Sequence, residues 1–212
     1  MSLLVVLDVD STLIQKEVIE LIAARAQVEQ EVEKITSRAM AGELDFAASL
    51  TERVALLEGL DEAVLQEVFL EIKVTDGVTE LIEFVHSIGG KVGAVSGGFE
   101  EVLSPLAQKL KLDFYRANRL EVIEGKLSGR VSGKIIDRGA KATALLEWSE
   151  QSNIALSETV AVGDGANDID MLQQAGFAVA FRPKPILRSY ADLVIEENSL
   201  LPLVEVLKLR TS

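Results

Sequence analysis

Cysteine is absent from all 212 residues. With it go a disulfide framework, a thiolate metal site and a cysteine nucleophile. That fits a reducing compartment, and a cytoplasmic location is expected. Long apolar runs are absent too. Leu3-Leu4-Val5-Val6-Leu7 has no basic flank and runs into Asp8 and Asp10, so it does not read as a signal peptide. No stretch approaches the roughly 20 apolar residues that span a bilayer. Positive charge is scarce, with 21 Lys and Arg against 34 Asp and Glu and a net charge of −13. This argues against non-specific binding to nucleic acid or anionic membranes. It also repels phosphorylated ligands at long range, so a phosphate site would need a metal or fixed basic residues of its own. Histidine occurs once, as His86, on a predicted helix, and reads as a surface residue.

What is present is patterned. Residues 3–9 form a run of strand length, apolar but for Asp8, as expected for a strand buried on both faces of a parallel sheet. Similar runs recur at 91–96, 159–163, 177–181 and 192–195, with helical spacing at 77–87, 99–111, 140–152, 168–175 and 200–209. The alternation predicts an α/β fold with a doubly wound, Rossmann-like parallel sheet. In such sheets ligands bind beyond the carboxyl ends of the strands. Residues 16–72 break the alternation and read as helical throughout, interrupted near Gly42 and again at Gly59-Leu60-Asp61. They predict an inserted helical cap, with boundaries at 15–74 and a core of 1–14 plus 75–212. Residues 120–136, punctuated by Gly125, Gly129 and Gly133, predict a hairpin.

Four fragments carry chemistry. Asp8-Val9-Asp10-Ser11-Thr12 lies where the first strand ends. Its two carboxylates share a face if the strand continues, or both enter the loop if it stops; so close together, they call for a cation or proton between them. Gly163-Asp164-Gly165-Ala166-Asn167-Asp168 follows another buried strand and opens a helix. Capping needs only one of its polar side chains, whereas a hard cation such as magnesium explains the excess. Ser96-Gly97-Gly98 ends a third strand and offers a hydroxyl and backbone N–H groups to a phosphoryl oxygen. Lys141 stands in the first turn of a helix, where a cation opposes the helix dipole. Each fragment has a bland structural reading. Together they supply the parts for phosphoryl transfer.

These motifs, in this order, resemble the haloacid dehalogenase superfamily. Glu17, Arg38-Ala39-Met40 and Thr51-Glu52-Arg53 in the insertion, with Asn118-Arg119-Leu120 before the hairpin, resemble the phosphoserine phosphatases within it. Phe46 and Arg53 share one face of a predicted helix. The chain departs from the family pattern in lacking proline near Lys134 and in having Ala140 where a basic residue often precedes Lys141. No room is expected for a regulatory amino-acid-binding domain. The resemblance implies Mg2+-dependent hydrolysis of O-phosphoserine, the last step of serine biosynthesis, through an aspartyl phosphate. Asp8 is then the nucleophile and Asp10 the general acid and base. The metal ligands are Asp8, the Asp10 carbonyl and Asp164, with Asp168 in support. Ser96, Gly97, Lys141 and Asn167 bind phosphoryl oxygens, while Glu17, Met40, Phe46 and Arg53 face the substrate from the cap. The expected partner is a small phosphorylated amino acid rather than nucleic acid or membrane, for a monomer or homodimer. A phosphotransferase with the same intermediate, or a broader small-molecule phosphatase, is the alternative.

Overall fold

The computed structural model describes residues 2–40 and 43–211, so the expected break near Gly42 lies outside the described residues. A sheet of seven strands runs in the order β4-β3-β2-β1-β5-β6-β7. Its strands are β1 (Leu4–Leu7), β2 (Lys91–Phe99), β3 (Phe114–Ile123), β4 (Lys126–Ser132), β5 (Thr159–Gly163), β6 (Phe177–Phe181) and β7 (Leu193–Ile195). All pairs are parallel except β3 with β4, which form the hairpin. Every residue of β1, β5 and β6 is buried, which is why these strands read as unbroken apolar runs.

Alternating side chains of β1 feed two separate cores. Val5 and Leu7 join Leu81 of α5 (Val78–Ser87), Leu103 of α6 (Glu100–Leu110) and Leu203 of α9 (Leu201–Thr211) on one face. Leu4 and Val6 join Leu145 and Trp148 of α7 (Arg138–Ser152) and Leu172 of α8 (Ile169–Gln174) on the other. This is the doubly wound arrangement that the alternation of strands and helices predicted.

Among the described residues, the α-helices between β1 and α5 are α1 (Val18–Ala26), α2 (Glu29–Met40), α3 (Phe46–Ala55) and α4 (Ala63–Glu71). The chain leaves and re-enters the core through paired segments. The Gln15 amide donates to the Lys73 carbonyl at 3.0 Å and Thr75 to Leu13 at 3.0 Å, around an Ile14–Val74 bridge. A second tie comes from the hairpin. Gly59 donates to the Leu127 carbonyl at 2.8 Å, Leu127 to Leu60 at 2.8 Å, and Glu62 to Gly125 at 2.9 Å. The segment joining α3 to α4 is thus bonded to the hairpin around an isolated Asp61–Lys126 bridge.

The hairpin differs from expectation at its start. β3 begins at Phe114, and its first residues pair in parallel with β2 before the strand turns to β4. Tyr115, Arg116 and Asn118 interrupt the apolar character there, so the segment does not look like a buried strand. Phe114 stacks on Trp148 with ring centres 5.4 Å apart. Gly93 of β2 has no room for a side chain beneath that tryptophan, for a Cβ would sit 2.7 Å from the ring.

Candidate active site

The carboxyl ends of β1, β2 and β5 and the first turn of α7 meet at one edge of the sheet, as the strand order requires. β1 stops at Leu7, and Asp8 is tied to β5 by a 2.8 Å bond from its amide to the Val162 carbonyl. The chain then makes a wide turn over Val9–Leu13, closed by bonds from Leu13 to Asp8 and from Ile14 to Val9. Ser11 takes a left-handed conformation, φ +61°, a strained state for a residue other than glycine. Asp8 and Asp10 therefore both lie in the loop.

Their surroundings differ. Asp8 is buried against Lys141, Asp164 and Asp168, and desolvation followed by Asp168 drives its pKa well up, opposed by Lys141. Asp10 accepts the Val18 amide at 2.9 Å and the Ser96 hydroxyl at 3.3 Å. Burial, reinforced by Glu17, raises the Asp10 pKa to about 7. One carboxyl is thus clamped to a cation, and the other is poised to hold or release a proton near neutrality.

Lys141 is 1% exposed. Asp137 caps α7 by accepting the Ala140 amide at 2.9 Å. One helical turn into the molecule, the Lys141 ammonium donates to Asp168 at 2.7 Å and to Asp8. Burial alone would lower its pKa, but Asp168 and then Asp8 more than reverse this and hold the proton on. Two buried carboxylates outweigh the unfavourable helix dipole that Lys141 feels on its own helix. Asp168 is fully buried, and its second oxygen accepts the amides of Asp164 and Gly165, each at 3.1 Å. Gly163 makes that return possible, since a Cβ there would lie 2.4 Å from the Asp168 carboxyl carbon.

Ligand oxygens of Asp8, Asp164 and Asp168 come within 4.8 Å of one another. All donors are oxygens, the set that suits a hard divalent cation. The charge bookkeeping points the same way: three buried carboxylates face one buried ammonium, and desolvation raises the Asp164 pKa to about 6. The residues fit a divalent ion. Asp168 already holds Lys141 and two backbone amides, whereas Asp164 carries only a 3.8 Å contact with Lys184, so Asp8 and Asp164 are the side chains best placed to ligate. The Asp10 carboxylate points elsewhere, to Ser96 and Val18.

The strand β2 slips register with β3 between Val95 and Phe99, so Ser96, Gly97 and Gly98 bulge at the site. Gly98 donates to the Ser96 hydroxyl at 2.7 Å, and a Cβ on Gly98 would lie 2.7 Å from Asp10 Oδ2. From the insertion, Phe46 reaches the same bulge: a Cβ on Gly97 would lie 2.7 Å from the tip of its ring. Glu17 accepts from the Ser11 hydroxyl at 3.3 Å. Arg53 is partly buried, donates to the Ser49 carbonyl at 3.2 Å, and feels the charges of Glu17, Asp10 and Glu20. Asn167 folds over Gly165, its Oδ1 2.6 Å from where a Cβ would stand. Met40 ends α2, and its side chain lies outside the described residues.

A model of the haloacid dehalogenase-like hydrolases matches residues 3–176, a span that contains every motif just described. This chain belongs to the haloacid dehalogenase-like hydrolase family. Within it, the chain is 47% identical to a phosphoserine phosphatase of Streptococcus thermophilus over 96% of this chain and 95% of that protein. A Streptomyces coelicolor phosphoserine phosphatase is 52% identical over 91% of this chain, which spans only 47% of that longer protein. A solved phospho-aspartyl intermediate analogue of phosphoserine phosphatase superposes with a TM-score of 0.91 at 42% identity, covering 97% of this chain and 98% of the other. A substrate-bound phosphoserine phosphatase gives the same score, identity and coverage. No helix among the described residues is long and apolar enough to cross a membrane.

Two further residues of this haloacid dehalogenase-like site escaped the sequence reading. Lys184, between Pro183 and Pro185, reads only as part of a turn. Its amide donates to the Asp164 carbonyl at 2.8 Å and its ammonium lies 3.8 Å from the Asp164 carboxylate. Glu20 lies in the first turn of α1, where desolvation and then Glu17 raise its pKa. The proline pair that fixes the backbone at Lys184 was the available signal. His86 bonds Asp113 at 2.9 Å, beside Lys91 at the start of β2 and so away from the catalytic edge.

Proposed function

We infer that this chain is a phosphoserine phosphatase, which hydrolyses O-phosphoserine to serine and phosphate through an aspartyl phosphate. The observation that carries the reading is the buried Asp8–Lys141–Asp168 bridge beside Asp164. It occurs in a chain that matches the Streptococcus thermophilus phosphoserine phosphatase along nearly the whole of both.

Asp8 attacks phosphorus, the bond to the serine oxygen breaks, and the phosphoryl group moves to the Asp8 carboxylate. Asp10 gives its proton to the departing serine oxygen. It then takes a proton from the water that attacks the aspartyl phosphate, freeing inorganic phosphate and restoring Asp8. A carboxyl group with a pKa near 7 suits both directions. Ser96, the Gly97 amide and Lys141 hold the phosphoryl oxygens, with Asn167 in reserve. Mg2+, held by Asp8, the Asp10 carbonyl and Asp164, would offset the negative charge of the carboxylates and the phosphoryl group. Residues 15–74 act as the cap, from which Phe46 closes over Gly97. Glu17 and Arg53 bring one charge of each sign, matching the ammonium and carboxylate of phosphoserine.

Product-resolved kinetics test this reading. Serine and phosphate should appear in equal amounts from phosphoserine, with added alcohols collecting no phosphate and sugar phosphates turning over far more slowly. Transfer to an acceptor alcohol would make the protein a phosphotransferase. Equal rates across phosphorylated sugars, nucleotides and amino acids would make it a general phosphatase.

A further inference from the structure

We propose that Asn118 is a positioning residue for phosphoryl transfer, setting the distance between the Ser96-Gly97 bulge and the helix that carries Lys141. The proposal rests on the phosphatase reading above. Asn118 touches neither carboxylate of the catalytic loop, yet it is 1% exposed and both ends of its amide are engaged. Its Nδ2 donates to the Gly97 carbonyl at 2.8 Å, and its Oδ1 accepts the Ile136 amide at 2.8 Å. Ile136 directly precedes Asp137, the cap of α7, and the Lys141 amide donates back to the Asp137 carbonyl at 3.0 Å. One side chain thus spans from the phosphoryl-binding bulge to the run-up of the lysine helix.

The need for it comes from the bulge. β2 and β3 pair up to Val95–Arg116, lose register, and resume at Phe99–Asn118. Gly97 lies within that gap, outside the register pairs of the two strands, and a part-buried carbonyl left without a partner is destabilising. Asn118, at the point where pairing resumes, supplies the bond from its side chain. The peptide joining Gly97 and Gly98 is then held at both ends, since the Gly98 amide donates to the Ser96 hydroxyl at 2.7 Å. Having accepted that bond, Ser96 has its single proton to give towards Asp10 or a phosphoryl oxygen. The job requires a donor and an acceptor on one short side chain. Asparagine meets it; aspartate, leucine and alanine at neutral pH do not.

The test compares wild type with Asn118→Ala and Asn118→Asp in the presence of Mg2+. Displacements near 1 Å at a reacting centre cost about 100-fold. In Asn118→Ala, kcat should fall about 10- to 100-fold for phosphoserine and for p-nitrophenyl phosphate alike, because both present the same phosphoryl group. The inhibition constant of orthovanadate should rise by a similar factor. Asn118→Asp keeps the acceptor for Ile136 but loses the donor to Gly97, so it should share the defect and recover towards wild type as the pH is lowered and its carboxyl group can donate again. That recovery is a signature mere loss of packing would not give. The aspartate variant also stands in if the alanine variant does not fold. Folded variants with wild-type kcat and vanadate inhibition would overturn the proposal. So would a defect that lowers the melting temperature but leaves vanadate inhibition unchanged. If wild type itself releases no phosphate from phosphoserine, the functional reading fails instead, and the two failures stay distinct.

Discussion

The core edge and the proposed cap bring side chains to one site on different terms. At the core edge, Asp8, Lys141, Asp164 and Asp168 are buried, and the Lys141 ammonium bridges two of the carboxylates. On the cap side, Glu17, Phe46 and Arg53 are only partly buried. Glu17 has a single long bond to Ser11, and the bonds of Arg38 to Glu52 and Glu43 lie at the surface. Charge development at phosphorus demands fixed groups in a dry setting. Recognition of the rest of the substrate needs groups that can part and close. Burial and bonding divide the site along that line.

The sharpest way to break the comparison is to remove the proposed nucleophile. Asp8→Asn should lower kcat by roughly ten-thousand-fold or more, while its melting temperature holds or rises because a crowded buried carboxylate is gone. Phosphate release and thermal denaturation measured together check this, and turnover near wild type would dismiss Asp8 as the nucleophile. Next comes Lys141→Met. Stripping the cation from two buried carboxylates should cost about 3–5 kcal/mol of folding stability and abolish turnover, read by urea denaturation and phosphate release. A cap residue should behave otherwise. Arg53→Ala should raise KM for phosphoserine about 10- to 100-fold, as for a lost hydrogen bond to a charged group, yet leave p-nitrophenyl phosphate little changed and stability nearly intact. Equal losses on both substrates would erase the division of labour.

The smallest effect concerns pH without metal. Desolvation first, then neighbouring charges, hold the pKa of Asp8 up and place those of Asp10 and Asp164 at about 7 and about 6 in the folded protein. The unfolded chain releases these protons at the ordinary carboxylate value near 4. Folded protein therefore binds more protons between those limits, and stability falls as pH rises through the window. In the presence of a chelator the melting temperature should drop from about pH 5 to about pH 8, and added Mg2+ should flatten the trend. A melting temperature that climbs over this range, with chelator present, would contradict the raised values.

The same division governs what could be read from sequence. β1, β5 and β6 are legible because strands buried on both faces are short apolar runs, and their carboxyl ends mark the catalytic edge. The pairing of Lys141 with Asp8 and Asp168 is a long-range fact, invisible in a helix whose local electrostatics argue against a lysine. The first residues of β3 escape because Arg116 stacks over Trp148 and Asn118 serves the bulge, so neither follows the apolar pattern. Lys184 escapes for a related reason: two prolines announce a turn but not what the turn faces. Glu17, Phe46 and Arg53 stand out through family resemblance, since helical periodicity places them on faces without naming a ligand.

The position of β1 has a consequence for how the protein comes to exist. β1 lies in the middle of the sheet, between β2 and β5, yet it precedes the other six strands of that sheet in the chain. The four cap helices emerge before either neighbour does, and β5 follows only after some 150 further residues. Contacts so distant along the chain fold slowly and leave apolar segments uncovered in the meantime. The nascent chain thus carries Leu4–Leu7 unpaired until β2 has followed and covered on one side only until β5 arrives, and the strand that leads into Asp8 stays open to wrong partners until the sheet closes around it.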